Sequence, residues 1–368
     1  VKSFEYGDEE VSNKEIMISV TAMIIGAGIL TLPRGIAKVT MGLDGWLSII
    51  LGGGIAMLFA WVCAKLASRF PRKAFLEYAT LLVTRPGAII LTLLFGFHFL
   101  FFTAYEMRVV ANISKIYLFD QTPVEALGLV FLLVVVYAVS GSRVGILRIN
   151  LMFMPIVLFI ATAVVLMNLN FFEFDNLRPF FTSDWKGYLE ATRETSFTFL
   201  GFEVLLFYVA LSNQPQKAPK AAILGVSIPI LLYLVVYFIV IGVFGPQSTA
   251  QMVYPTIELA KEVEVPGQFF ERFESIFFTI WIMALFSTSA MALDITVMCL
   301  KFIWPKVKKV TFVFILSPVI YMIGMFPENQ ISVTNLGNFI SYSGIGLAVF
   351  IPTLLLILAK VRGVKGHA

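Results

Sequence analysis

The residues best placed to do chemistry in this sequence sit in two interruptions of long apolar stretches. The first covers residues 24–34, Ile-Ile-Gly-Ala-Gly-Ile-Leu-Thr-Leu-Pro-Arg, which sets Gly26, Gly28 and Pro33 inside an otherwise apolar run. In water such a helix would simply end. In a bilayer a break leaves N–H and C=O groups unpaired, so it persists only where it lines a cavity or binds something. Gly26 and Gly28, with Ala27 between them, permit close backbone approach. A half-helix starting there would aim free N–H groups and a positive dipole end at a carboxylate or other polar ligand group. The half-helix before it would end in free carbonyls suited to an ammonium or a cation. Small-residue helix packing is the competing use of the same pattern.

The second interruption reads Thr-Ser-Phe-Thr-Phe-Leu-Gly-Phe over residues 195–202, with Glu203 next. Thr198, Leu200 and Gly201 would face the first break across a bundle. Glu203 suits the cap of a second half-helix, and proton binding is its other use. Elsewhere, His98, Phe102, Tyr105 and Val109 are spaced 4, 3 and 4 apart, which puts them on one helical face as pocket lining or plain packing. Glu106 and Arg108 follow on different faces and need not pair with each other. A charged group at a helix centre costs up to ~3.5 kcal/mol on an insertion scale, so each needs a partner. Glu106 reads as a structural ion pair before a pathway acid.

Further on, Ser287, Thr288 and Ser289 offer hydroxyls, with Met291 and Asp294 beyond. Thr288 and Met291 are candidates for ligand contact. The hydroxyls near Ser287 and Thr288 could hold a cation with backbone carbonyls, or bond back to their own helix. Asp294, nearer a helix end, calls for a salt bridge. The sequence carries no nucleotide loop, metal-ligand spacing or nucleophile elbow, so neither an enzyme nor a cofactor is expected.

These residues must be positioned by membrane helices. Hydrophobic residues make up 59% of the chain and charged ones 14%, with a mean hydropathy of +0.89. That composition places the chain in a lipid bilayer. Cys63 and Cys299 both fall in apolar stretches, and no disulfide framework follows. The start of the chain lacks the basic region of a signal peptide, so the first span is expected to be retained.

Hydropathy fits ten spans, at about 14–38, 45–67, 87–118, 123–141, 144–168, 187–211, 218–244, 269–300, 309–325 and 336–359. Alternate loops collect Lys65, Arg69, Arg72, Lys73, Arg85, Arg143, Arg148, Lys217, Lys220, Lys301, Lys306, Lys308, Lys309, Lys360, Arg362 and Lys365. The opposite loops carry Asp120, Glu125, Glu173, Asp175, Asp184, Glu258, Glu262, Glu264 and Glu328. The positive-inside rule then places both termini, 1–13 and 360–368, in the cytoplasm. It accounts for the net charge of +4 without nucleic acid. Residues 73–83 form an amphipathic interfacial segment. Residues 247–266, with Glu258, Glu262 and Glu264, form either an outer loop carrying a short helix over the mouth of the bundle or a plain connector. Breaks in spans one and six point to an all-α, five-plus-five inverted repeat, with repeat one at about 14–168 and repeat two at about 187–359.

Several strings together resemble the B subunit of endospore germinant receptors, within the amino acid–polyamine–organocation superfamily. They are Gly26-Ala-Gly-Ile-Leu-Thr-Leu-Pro-Arg34, Asn176-Leu-Arg-Pro179, Phe199-Leu-Gly-Phe-Glu-Val-Leu-Leu-Phe207 and Glu271-Arg-Phe-Glu-Ser275. The resemblance implies a ten-span protein of the spore inner membrane that works with an A subunit and a lipoprotein C subunit in sensing amino acids or sugars. It implies a pocket between spans one, three, six and eight, at Gly26, Gly28, His98, Phe102, Leu200, Gly201, Thr288 and Met291. A secondary transporter using the same pocket is the alternative. A span-five lysine, able to replace a sodium ion in a proton-coupled transporter, is missing.

Overall fold

In lipid every backbone N–H and C=O must be satisfied within the protein, so an apolar chain of this kind folds as helices. The computed structural model describes residues 10–263 and 273–364. Glu264, Glu271, Arg272 and Lys365, used in the sequence arguments above, lie outside the described residues. The protein is mostly helical: α1 (Asn13–Ile24), α2 (Gly28–Ala37), α3 (Gly45–Ser68), α4 (Phe75–Leu82), α5 (Arg85–Tyr117), α6 (Val124–Ser140), α7 (Arg143–Met167), α8 (Trp185–Thr198), α9 (Leu205–Tyr208), α10 (Ala218–Gln251), α11 (Pro255–Lys261), α12 (Phe273–Ile303), α13 (Lys309–Met325), α14 (Gln330–Ile345) and α15 (Ile351–Val361).

Among the described residues, six helical stretches are long and apolar enough to cross a bilayer. Two further pairs qualify only together, α1 with α2, bent by 52°, and α8 with the stretch Phe202–Leu211 that contains α9, bent by 42°. The helices α6 and α13 are apolar but shorter, at 17 residues each. The centre of the bundle is α12, which packs on α5, α7, α6 and α1, while α10 packs on α3, α1 and α2.

The break in the first pair falls at residues 25–27, and Pro33 lies inside α2 rather than at an interruption. Proline lacks the N–H that would bond the carbonyl four residues back. That carbonyl belongs to Ile29, and the Thr256 hydroxyl of α11 donates to it at 2.8 Å. Thr256→Val should therefore leave a buried carbonyl unpaired and lower the thermal unfolding midpoint, a cost of about 1–3 kcal/mol. Thr256→Ser should keep the bond and the midpoint.

The expected 247–266 loop starts later than the hydropathy suggests. Gly245, at φ 71°, kinks α10, and Pro246 restarts helix through Gln251 because proline is pre-set for a first turn. The short helix in that region is α11. The amphipathic 73–83 segment contains α4, whose Phe75, Tyr78, Ala79 and Leu82 are buried. Phe75 rests against Phe95 of α5 and Phe207 beside the second break.

The basic end of the bundle is closed by polar ties. Val11 and Leu211 join through a 2.9 Å backbone bond, and Arg148 meets Glu15 at 3.3 Å. Asp294 is fully buried between Arg143 at 2.9 Å and Lys309 at 3.3 Å, and takes the Tyr208 hydroxyl at 3.3 Å. At the acidic end, buried Asp44 accepts the amides of Phe181, Thr182 and Ser183 and pins the 172–184 connection over α3. Burial works against that charge, but the amides of Ser183, Phe181 and Thr182 outweigh it and hold the carboxyl below its ordinary range.

Candidate functional site

The two breaks meet. A methyl group on Gly28 would lie 2.6 Å from Thr198 Cγ2, and one on Gly201 would lie 3.0 Å from the Met23 carbonyl oxygen. Gly201 has φ +120°, a conformation that suits glycine alone among the residue types. It follows Phe199 and Leu200 at the end of α8 and lets the chain turn into the Phe202–Val204 turn.

The backbone groups of the first break are already engaged. The Ile24 carbonyl accepts the Tyr233 hydroxyl at 2.7 Å, and the Gly26 carbonyl accepts the Trp281 indole N–H at 3.3 Å. On the other side, the buried Glu106 carboxylate faces the Ala27 N–H and takes the Thr288 hydroxyl at 3.3 Å. A methyl on Gly26 would stand 3.1 Å from Thr288 Cγ2 and 3.3 Å from Glu106 Oε1. The helix end expected to greet a ligand carboxylate is thus already held by a carboxylate of the protein. The carbonyls expected to take an ammonium or cation are held by two aromatic donors. Any ligand here meets Glu106, not bare backbone.

The second break has its own acid. Glu203 Oε2 accepts the Gly201 amide at 2.9 Å, and Glu203 Oε1 lies 3.6 Å from His98 Nε2. His98 Nδ1 in turn lies 3.2 Å from Ser343 Oγ of α14. Gly344 packs so closely that a methyl there would be 2.9 Å from both the His98 ring and Leu200. The helix α14 therefore joins the site, with a single π-helical turn, Gly346–Phe350, directly after it. Such turns gather at functional sites. The Ser-Tyr-Ser-Gly of residues 341–344 was the available signal.

The acidic end leads to the breaks. On α8 the charged residues Lys186, Glu190, Arg193 and Glu194 are exposed, as are Thr31 and Lys38 of α2. Glu194 is ten residues into α8, about 15 Å from its start. Charges at such depth face water, not lipid. Arg193 lies 5.0 Å from the Tyr342 ring and 5.8 Å from Phe197, and those two rings contact edge-on at 5.1 Å. This aromatic clasp joins α8 to α14.

Not every candidate converges. Gly26, Ala27, Gly28, Glu106, Thr198, Gly201 and Thr288 come together at the breaks, with His98, Leu200 and Glu203 beside them. Tyr105 lies near, but against Gly337 of α14. Phe102 is half-buried on the same helix. The Met291 sulfur instead takes the Asn150 amide of α7 at 3.2 Å. Asp294 belongs to the knot at the basic end. Arg108 touches Met325 Sδ at 3.6 Å, and its Nε has no hydrogen-bond partner among the described residues. Ser287 bonds back to Met283 at 3.0 Å, so its hydroxyl proton is spent on its own helix, while the Thr288 hydroxyl is shared between the Leu285 carbonyl at 2.9 Å and Glu106 at 3.3 Å. A wide apolar groove among α5, α6, α7 and α12, lined by Val110, Phe119, Val134, Phe153 and Phe286, contains none of these residues.

Comparison with known proteins adds the following. The profile of the family described as spore germination protein matches residues 10–333. The spore germination protein GerLB of Bacillus cereus is 40% identical over 368 residues, covering 100% of this chain and 98% of its own length. The spore germination protein YndE of Bacillus subtilis (strain 168) is 30% identical, covering 96% of this chain and 97% of its own. Among solved structures, Mhp1, a nucleobase-cation-symport-1 family transporter in a closed conformation with bromovinylhydantoin bound, superposes with TM-score 0.71 at 15% identity. It covers 97% of this chain and 80% of its own. MhsT in complex with L-phenylalanine superposes with TM-score 0.70 at 16% identity, covering 97% and 91%. These two likenesses give the fold.

Proposed function

The chain belongs to the spore germination protein family, and from that premise we propose that it is the nutrient-sensing membrane subunit of an endospore germinant receptor. It binds a small polar molecule, an amino acid or a sugar, where the two helix breaks meet, and signals to A and C subunits. The observation that carries this reading is the meeting of Gly28 with Thr198 and of Gly201 with Met23, beside the buried Glu106–Thr288 contact. Glu106 supplies the carboxyl acceptor for a ligand ammonium or hydroxyl, and His98 and Leu200 form the far wall.

On this reading each bent pair counts as one span, and α6 and α13 complete ten. The repeats are about 14–168 and 187–359, flanked by tails 1–13 and 360–368. The basic end and both termini face the cytoplasm beneath the spore inner membrane. A nutrient then arrives along the charged face of α8. Ligand binding favours one helix arrangement by its differential affinity for the two states. The Asp294–Arg143–Lys309 knot, six residues along α12 from Thr288, lies where partner subunits would read the change.

A thermal-stability screen of the purified chain against the common L-amino acids, glucose and inosine tests the reading. At least one compound should raise the midpoint, and Phe102→Trp should change which compounds do so. A full panel without effect would count against a ligand-binding subunit.

The second reading, alternating-access transport, is favoured by the likeness of the fold to Mhp1, a nucleobase-cation-symport-1 family transporter. Reconstituted protein that accumulates labelled substrate against an ion gradient, without partner subunits, would establish it.

A further inference from the structure

His98, Glu203 and Ser343 form a chain of hydrogen-bonding groups whose proton count can be worked out. The Ser343 hydroxyl donates to the Ile340 carbonyl at 3.0 Å, which leaves its oxygen as an acceptor. His98 Nδ1, 3.2 Å away, must then carry the hydrogen it shares with Ser343. A neutral imidazole in that tautomer turns the bare lone pair of Nε2 toward Glu203 Oε1, 3.6 Å distant. Two lone pairs facing each other at a buried site repel. The His98 side chain is 2% exposed and that of Glu203 1%, so water does not relieve the contact.

We propose that His98 and Glu203 form a proton-binding site at the second break, holding one proton between Nε2 and Oε1 when Ser343 is bonded to Ile340. Release of the proton leaves neutral His98 and the Glu203 carboxylate. The remaining hydrogen then moves to Nε2 and Ser343 turns its own hydroxyl toward Nδ1. The site thus has two hydrogen-bond arrangements that differ by one proton and by which partner α14 holds.

The surroundings bear on the charge. From α3 the buried Cys63 thiol faces Glu203, and beyond it lies Tyr78 of α4. On α5 itself Glu106 is eight residues from His98, and from α8 and α14 come Arg193 and Tyr342, 5.0 Å apart, with Tyr342 next to Ser343 in the chain. Phe99 covers the imidazole edge-on at 5.2 Å. Because Glu203 Oε2 also holds the Gly201 amide, a change of charge here acts on the backbone of the second break. Ligand binding there should be proton-linked, a consequence that rests on the sensing site proposed above.

The test is a double-mutant cycle on the purified full chain, read as the thermal midpoint between about pH 5 and 8, the range in which histidine ordinarily titrates. The effect of His98→Gln should vary with pH in the wild-type background and become constant in Glu203→Gln. An effect that is constant in both backgrounds would overturn the proton site. Should His98→Gln fail to fold, Glu203→Gln alone should show the same pH-dependent shift against wild type, and a constant shift would again refute it. Affinity for whichever of the L-amino acids, glucose or inosine stabilises the chain should change by up to about tenfold per pH unit over the same range. Binding that is present but indifferent to pH would sink the linkage. Absence of binding with the pH-dependent cycle intact would support the proton site and refute the sensing site.

Discussion

Gly201→Ala is expected to destabilise the protein by about 3 kcal/mol or more, enough to abolish accumulation in the membrane or any nutrient response. The left-handed conformation at φ +120° is one cause. The other is steric: the new methyl would meet Met23 Cγ at 2.8 Å and the Met23 carbonyl oxygen at 3.0 Å, and that backbone belongs to the helix end at the first break. Neither break can retreat without losing the other. Gly54→Ala is the control, since a methyl there meets nothing within 4 Å, and it should leave both accumulation and midpoint unchanged. Midpoints of the two purified variants against wild type would settle the comparison. A Gly201→Ala protein as stable as wild type would show that the breaks are not in contact.

Glu106→Gln has the second large expected effect, on binding with the fold kept. Glutamine fills the same space and its oxygen can still accept from Thr288, so the ligand-free midpoint should hold. It removes the carboxylate that a bound ammonium would hold ionised, and a charge-assisted hydrogen bond of that kind contributes about 1.5–3 kcal/mol. Affinity for the stabilising compound should fall by roughly ten- to a hundredfold. The loss should appear in the ligand-induced midpoint shift and in the nutrient concentration needed for response. Full affinity in Glu106→Gln would place the ligand elsewhere, and Asp294, Glu203 and the α8 acids would then be the carboxylates to examine.

Both interruptions were legible in the sequence because glycine, hydroxyls and an acid are conspicuous in apolar runs, and their helix ends bend where those residues fall. The exposed charges of α8, Lys186, Glu190, Arg193 and Glu194, were masked by a span drawn at about 187–211. What satisfies the broken backbone was not legible either. Tyr233 and Trp281 reach the first break from helices 209 and 255 residues away along the chain, and nothing in local spacing marks an aromatic as a donor to a particular carbonyl. The same holds for Thr256 and Ile29. Pro33 looked like part of the interruption because proline removes a donor, yet a long-range hydroxyl replaces that bond and α2 continues. Glu106 read as structural because a charge at a helix centre needs a partner, and spacing alone does not name that partner. On α5 Glu106 and Arg108 diverge, Glu106 toward Gly26 and Arg108 toward Met325, as residues two apart on a helix must. Ser343 and Gly344 escaped notice because they sit in a span with no charge to flag them.

The central claim is that a small molecule binds where the breaks meet, and Gly26→Ala tests it most directly. A methyl there needs shifts of only a few tenths of an ångström, but the atoms that must shift are Thr288 Cγ2 at 3.1 Å and Glu106 Oε1 at 3.3 Å. Equilibrium binding of the stabilising compound should be measured on purified wild type and Gly26→Ala, alongside their ligand-free midpoints. The account predicts matching midpoints and an affinity lowered more than about tenfold in Gly26→Ala. Equal affinity in the two proteins would contradict it.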